Sequence, residues 1–314
     1  MKRLADMTRK KAKVVFDELS SKTPPLSVQK IKTIGILIPN MDNPFFVEIA
    51  RNIQHSGHEL GYRVVMCSTD NDSIMEIEYS SLLKNNSIDG LILAGGFEND
   101  TILKEIVDEG LPIVLICQDI PSLLVDSVSV DDFLSGYQVT NHLLSIGHEK
   151  IAVFAEKTRS SKERIRGYRK ALQDAGLEFN ESLVLVSDST VKSGKQLAKQ
   201  ILGLIKRPTA IFACNDLLAV GIFQGARERG IKVPDDLSIV GFDNTLLATS
   251  VDPPLTSVKQ PIEKMGREVI NLLIRRIEGK DESKRRIILF PEIIFRSSTK
   301  PPITKSSEGT KKYI

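Results

Sequence analysis

Short runs of β-branched and apolar residues alternate along this chain with longer amphipathic segments, and the alternation runs through two series. TIGILI (33–38) has the composition of a strand covered on both faces. Asn43-Pro44 then opens a helix to about Leu60, with proline in its first turn, and Gly61 ends it. RVVMCS is the next strand, Ser73 caps a second helix, and 89–93 and 112–116 read as strands on either side of a helix that stops at Gly110. Repeated β-α-β-α order demands right-handed crossovers and a parallel sheet. The rhythm restarts after IAVFA (151–155): helix 161–175, strand 183–186, helix 193–205, strand 209–213, helix 215–229, strand 237–241. LTSVKQ (255–260) and 286–296 are further strands flanking a helix over 262–278. The expected fold class is therefore α/β, with two doubly wound parallel-sheet lobes. In such sheets ligands bind beyond the carboxyl ends of the strands, which puts a site in the cleft between the lobes.

The charge is uneven. Residues 1–32 hold nine Lys/Arg and three acids, a surplus of six in a chain whose net charge is +3, so the remaining body is mildly acidic. A basic leader suits contact with polyanions; it equally suits a solvated terminus. No apolar run approaches the roughly 18–20 residues of a membrane span. The basic start is followed by no apolar stretch, so it does not read as a secretory signal, and a cytoplasmic location is expected. Cys67, Cys117 and Cys214 are odd in number and widely spaced, which points to reduced, mostly buried thiols and not to disulfides or zinc.

No enzyme signature is present: no nucleophile elbow, Walker loop, dinucleotide fingerprint or H-E-x-x-H. The expectation is a non-enzyme with neither cofactor nor metal. His55 and His58 sit at i, i+3, but such a pair on an amphipathic helix is more often a surface or dimer contact. Gly95-Gly96 could approach a phosphate or simply turn the chain. The strand ends are richer. Phe45 and Phe46 follow the first strand and can stack on a sugar or base ring, or pack the start of their helix. Arg164 lies in R-I-R-G-Y-R just after the lobe change, Asn215-Asp216 follows strand 209–213, and Asp243-Asn244 follows strand 237–241. Arg, Asn and Asp converging on one cleft suit hydroxyls and carboxylates. Asn215 is equally placed to cap the helix it begins.

These stretches resemble the LacI/GalR family. The matching segments are TIGILIPNMDNPFFVEI, DGLILAGG, VDSVSVDDFLSGYQVTNHLLSIGHEKIAVF, RIRGYRKAL, PTAIFACNDLLAVG, VPDDLSIVGFDNT and PPLTSVKQPIEKMGREVINLLI, in the family's order over nearly all of 33–300. The phrasing is similar to Gram-positive members of the DegA type. The resemblance implies a periplasmic-binding-protein-like body, a homodimer, and a small sugar, sugar phosphate or nucleoside-like effector in the cleft. It implies a first lobe of 33–157 plus 252–283 and a second of 158–251 plus 284–300; by composition, Pro301-Pro302 and the Lys/Ser/Gly mix after them read as a disordered tail over 301–314. Residue by residue, Phe45 and Phe46 match the family's ring-contacting pair. Arg164 matches the arginine of R-x-x-G-[FY], Asn215 the polar residue of the N-D pair, and Asp243 the aspartate of G-[FY]-D. Asp131 matches a cleft-side acid.

The front departs from the family. T-I-x-D-V-A and V-S-x-x-T-V-S are missing, and only TRKKAKVVFDEL (8–19) resembles the last helix of the DNA-reading headpiece, with Ala12, Val15, Phe16 and Leu19 on one face. The link SSKTPPLSVQKIK places Pro24-Pro25 where a hinge helix would form. The resemblance thus implies a ligand-responsive transcriptional regulator with a short helical remnant of a headpiece and no recognition helix. The alternative is a dimeric small-molecule sensor without specific DNA binding.

Overall fold

The computed structural model describes residues 32–85, 88–95, 100–280 and 283–303. The helix expected over 8–19, the link through Ile31 and residues 304–314 lie outside the described residues. β1 (Thr33–Ile38) is buried on both faces after its first residue, as its β-branched composition requires. α1 (Pro44–Glu59) begins where Asn43 Oδ1 accepts from the Phe45 amide, with Pro44 filling the first turn. The chain continues through β2 (Arg63–Ser68), α2 (Ser73–Asn85), β3 (Gly90–Ala94), α3 (Asp100–Asp108), β4 (Ile113–Ile116) and β5 (Asp126–Val130). The start of α2 is fixed by Asp72, whose carboxylate accepts from the Ile74 amide, and not by Ser73, which is already helical. Next come α4 (Asp132–Ser145), β6 (Ile151–Ala155), α5 (Arg159–Asp174), β7 (Val184–Val186), α6 (Val191–Ile201), β8 (Ala210–Ala213), α7 (Asp216–Glu228), β9 (Ser238–Asp243), α8 (Leu246–Ser250) and β10 (Thr256–Lys259). α9 (Ile262–Ile277), β11 (Arg286–Leu289) and β12 (Glu292–Ile294) complete the described elements.

Two six-stranded sheets result, in the orders β11-β5-β4-β3-β1-β2 and β12-β10-β9-β8-β6-β7. The first is parallel throughout, and the second is parallel except for β12, which runs antiparallel to β10. The two-sheet α/β architecture agrees with the expectation. The lobe boundaries do not. Ile151–Ala155, placed in the first lobe, pairs with β8 and β7 in the second sheet. The residues of β10 were assigned to the first lobe and pair with β9 in the second. Those of β11 were assigned to the second and pair with β5 in the first. The single strand expected over 286–296 is two strands in different sheets, because Phe290-Pro291 interrupts it and proline cannot donate to the ladder. α4 packs against α5, and α9 against α1 and β3–β5, so these helices follow the same division.

The three crossings therefore fall at Asp131, at Gln260-Pro261 and at Phe290-Pro291. They lie side by side: the Asp131 amide donates to the Leu289 carbonyl at 3.0 Å. All described residues from Thr33 onward belong to one compact unit. Among the described residues no helix is long and apolar enough to cross a membrane.

Residues 301–303, expected in the tail, are part of this body. Pro302 lies against Gly147, and the preceding segment is held by His148. That ring is buried between Thr209 Oγ1 (Nδ1, 2.8 Å), Ser238 Oγ (Nε2, 3.0 Å) and the Lys300 carbonyl (Nε2, 3.0 Å). A carbonyl only accepts, so Nε2 carries the proton and Nδ1 accepts from Thr209. Burial holds the ring below the ordinary histidine value of 6.5, favouring the neutral form in the fold. Its contribution is complete above pH 6.5 and is lost as pH falls below that value. His148→Gln is expected to flatten the fall in urea-unfolding free energy between about pH 7.5 and 5 relative to the parent chain. Parallel pH profiles for the two proteins would contradict this role.

Candidate functional site

The carboxyl ends of both sheets open into one cleft of about 330 Å³, at the small end of the range for ligand pockets, about 300–1,000 Å³. From the first lobe it is lined by Asn40, Asn43, Phe45, Phe46, Asn71, Gly95 and Gln118. From the second come Asp132, Glu156, Arg164, Ser189 and Asp243, and the hinge residues Val130 and Gln260 join them. The two sides differ chemically. The first offers side-chain amides and aromatic rings, and the second offers charge.

Arg164 organises the charged side. It is buried on α5, where Thr158 caps the helix start by accepting from the Ser161 amide. Its Nε donates to Asp132 Oδ1 at 2.8 Å, one terminal nitrogen donates to the Cys214 carbonyl, and its guanidinium lies 3.4 Å from the centroid of the Phe242 ring. Planarity lets a single guanidinium serve the carboxylate, the carbonyl and the ring together. Around it stand Asp132, Glu156 and Asp243. Burial raises the pKa of all three acids, and the Arg164 charge opposes that rise. Three carboxylates around one buried cation leave this floor rich in hydrogen-bond acceptors.

Asp243 is held there by its backbone. It has φ +100° and the following Asn244 φ +53°, both left-handed and unusual for non-glycine residues. Gln260 Nε2 donates to Asp243 Oδ1 at 2.8 Å. The turn is tied down from behind by Asp216, buried on α7, which accepts from the Thr245 amide and hydroxyl and from Ser257 Oγ. Burial pushes its carboxyl up to about 6.

Four of the six residues expected from the sequence line the cleft: Phe45, Phe46, Arg164 and Asp243. The two phenylalanines divide their work. Phe45 is buried in the core at the start of α1, while half-buried Phe46 lies edge-to-face against it, ring centroids 5.2 Å apart. Asp131 is not among the lining residues. Its carboxylate caps α4 by accepting from the Leu134 amide at 2.8 Å, and its neighbour Asp132 carries the charge toward Arg164. Asn215 sits one layer back and does line neither wall. Oδ1 caps α7 through the Leu218 amide at 2.8 Å, Nδ2 donates to Ser189 Oγ at 2.6 Å, and its side chain also bonds Glu156. It caps a helix and positions two groups that do line the cleft. Gly95 (φ +54°) turns the chain beneath the Phe46 ring, and His55 and His58 are exposed on α1.

Glu156, Gln118, Ser189 and Gln260 were not singled out from the sequence. Glu156 directly follows β6 and Gln118 lies two residues past β4, so the strand-end rule that found Asp243 applies to both. Gln260 has no such signal, because its place at a hinge depends on which sheet receives β10.

Residues 140–299 match the family of periplasmic binding protein-like domains. The HTH-type transcriptional regulator DegA of Bacillus subtilis is 43% identical over 309 residues, covering 95% of this chain and 91% of that protein. A LacI family transcriptional regulator from Enterococcus faecium, solved with bound ribose, superimposes with a TM-score of 0.78 at 31% identity over 86% of this chain and 99% of its own. The transcriptional regulator CelR in complex with cellobiose gives a TM-score of 0.79 at 30% identity over 93% and 90% of the two chains. With two crossed α/β lobes, an acid-and-arginine cleft between them and relatives matched across most of their length, the chain belongs to the LacI/GalR family of transcriptional regulators.

Proposed function

We propose that this chain is a ligand-responsive transcriptional regulator whose effector is a small polyhydroxylated molecule, a sugar or a nucleoside-like compound, bound in the interlobe cleft. The observation that carries this reading is the acceptor-rich floor around Arg164 facing the Phe46 ring. Carboxylates accept from ring hydroxyls, and an aromatic face suits the apolar side of a sugar or base. The bound ribose and cellobiose of two structural relatives are consistent with that class. The effector contacts both lobes, so it stabilises the closed arrangement over the open one, moving about the crossings at Asp131, Gln260 and Phe290. In a homodimer this shift sets the separation of the segments preceding Thr33, and with it operator affinity where a complete helix-turn-helix precedes them. Exposed Val65, Met66, Ile74 and Ile77, on β2 and α2, support a homodimer. A cytoplasmic site of action and the lack of catalysis belong to the same reading.

Hydroxyl donors favour ionised carboxylates, so binding lowers the raised pKa values of Asp132, Glu156 and Asp243 and releases protons. Affinity is then expected to rise with pH above the ordinary carboxylate range. Calorimetric titration with D-ribose, D-glucose, cellobiose and adenosine, in two buffers of different ionisation enthalpy, tests both points. Saturable binding with proton release is the expected result. Proton uptake, or no binding by any of these compounds, would refute the assignment.

A further inference from the structure

The first-lobe wall contains a hydrogen-bond donor that the fold leaves unused. Gln118 is only 6% exposed, and its Nε2 has no hydrogen-bond partner among the described residues. Burying an amide without a partner opposes folding, so a buried orphan donor calls for a reason. Among the buried side-chain atoms that lack a partner in the described residues, it belongs to a residue lining the cleft. Cys117 and Gln118 both line the cleft on the turn that follows β4. Cys117 has φ +63°, a left-handed conformation that a β-carbon disfavours. The Cys117 amide is nevertheless fixed in place by donating to the Val128 carbonyl at 2.9 Å.

The opposite wall explains what this donor is for. Asp132, Glu156 and Asp243 present acceptors, and Arg164 already donates to Asp132 and to the Cys214 carbonyl. A ligand hydroxyl resting on these three carboxylates gives hydrogen bonds to them, while Lys157, Arg159 and Lys162 line the same side of the cleft as donors. An oxygen of the same ligand facing the first lobe needs a donor, and Gln118 Nε2 supplies one. We propose that Gln118 is the specificity contact of the first lobe, donating from Nε2 to an oxygen of the effector. The inference rests on the effector site described above and adds a polarity to it. The effector turns donor hydroxyls to the acidic floor and an acceptor oxygen to the amide wall.

The test is calorimetry on the full chain with whichever of D-ribose, D-glucose, cellobiose and adenosine binds the parent protein. Gln118→Met keeps the volume and removes the donor, and is expected to weaken binding about ten-fold. Gln118→Glu replaces the donor with an acceptor beside an acidic floor, and a loss of about a hundred-fold or more is expected. One deoxy analogue of the bound compound should bind the parent about ten-fold more weakly than the compound itself, yet match it on Gln118→Met. The melting temperature of unliganded Gln118→Met should hold or rise, because the substitution removes an unpaired buried group. Affinity within about two-fold of the parent in Gln118→Met would overturn the proposal while leaving the effector site intact. A melting temperature lowered by several degrees, with every analogue losing equally, would make Gln118 a structural residue and overturn it too. If none of the four compounds binds the parent chain, the effector assignment fails and this inference fails with it.

Discussion

Arg164→Ala is expected to lower the unfolding free energy by about 3–5 kcal/mol and to abolish effector binding. Arg164 is 5% exposed, and its guanidinium bonds to Asp132 and the Cys214 carbonyl while lying on Phe242. Removing it leaves Asp132, Glu156 and Asp243 facing one another without the buried cation between them. The stability cost comes chiefly from stranded carboxylates, and the lost packing on Phe242 adds to it. Arg164→Lys keeps the charge but cannot reproduce the planar fork, so its stability should fall between the two. Urea unfolding of the three proteins measures the series. A midpoint for Arg164→Ala equal to that of the parent would mean that the acids are held by something other than this cation.

Gly136→Ala should cost about 2 kcal/mol or more, from overpacking, although alanine is the better helix former. Propensity alone predicts a gain of about 1 kcal/mol in mid-helix. Packing reverses the sign. A β-carbon at Gly136 on α4 would stand 2.0 Å from the carbonyl oxygen of Arg164, and one at Gly167 on α5 would stand 2.1 Å from that of Phe133. The two helices touch backbone to backbone, and a backbone carbonyl cannot swing aside as a side-chain end can. Relief requires moving α5 away from α4, which carries Arg164 away from Asp132 and should weaken effector binding in the same variant. Thermal unfolding and calorimetry on one preparation check both effects. A stabilised Gly136→Ala would show that the helix crossing is looser than drawn.

The elements were legible where local pattern decides them. β1, β8 and β9 are apolar runs, and α1 and α7 carry their capping residues in the sequence. β5 was harder. DSVSV alternates serine with valine, as in a half-exposed strand, yet all five residues are buried. Its outer neighbour is β11, which pairs Ser127 with Arg286 from far along the chain. Sheet membership has the same origin. Periodicity reports that 151–155 and 256–259 are strands, but only long-range pairing decides which lobe receives them, and the hinge residue Gln260 follows from that choice.

The site divides along the same line. Asp243 ends β9, and Arg164 lies in the second turn of α5 within the R-I-R-G-Y-R run that the sequence marks. The choice between Asp131 and Asp132 is one of side-chain direction at a helix start. The first residue folds back to cap α4 and the second turns toward Arg164, a distinction that two adjacent aspartates do not encode. Asn215 could be read as a cleft contact or as a helix cap, and its geometry makes it the cap of α7 and a support for Ser189 and Glu156, outside the residues that line the cleft.

One small molecule is expected to bridge the two lobes between Phe46 and Arg164. A crystal structure of the chain grown at saturating concentration of the compound that binds it by calorimetry tests this most directly. Ligand density is expected in the cleft, with hydroxyls on Asp243 and Arg164 and an oxygen on Gln118 Nε2. Density for that compound anywhere outside the interlobe cleft, with Arg164 and Asp243 untouched, would contradict it.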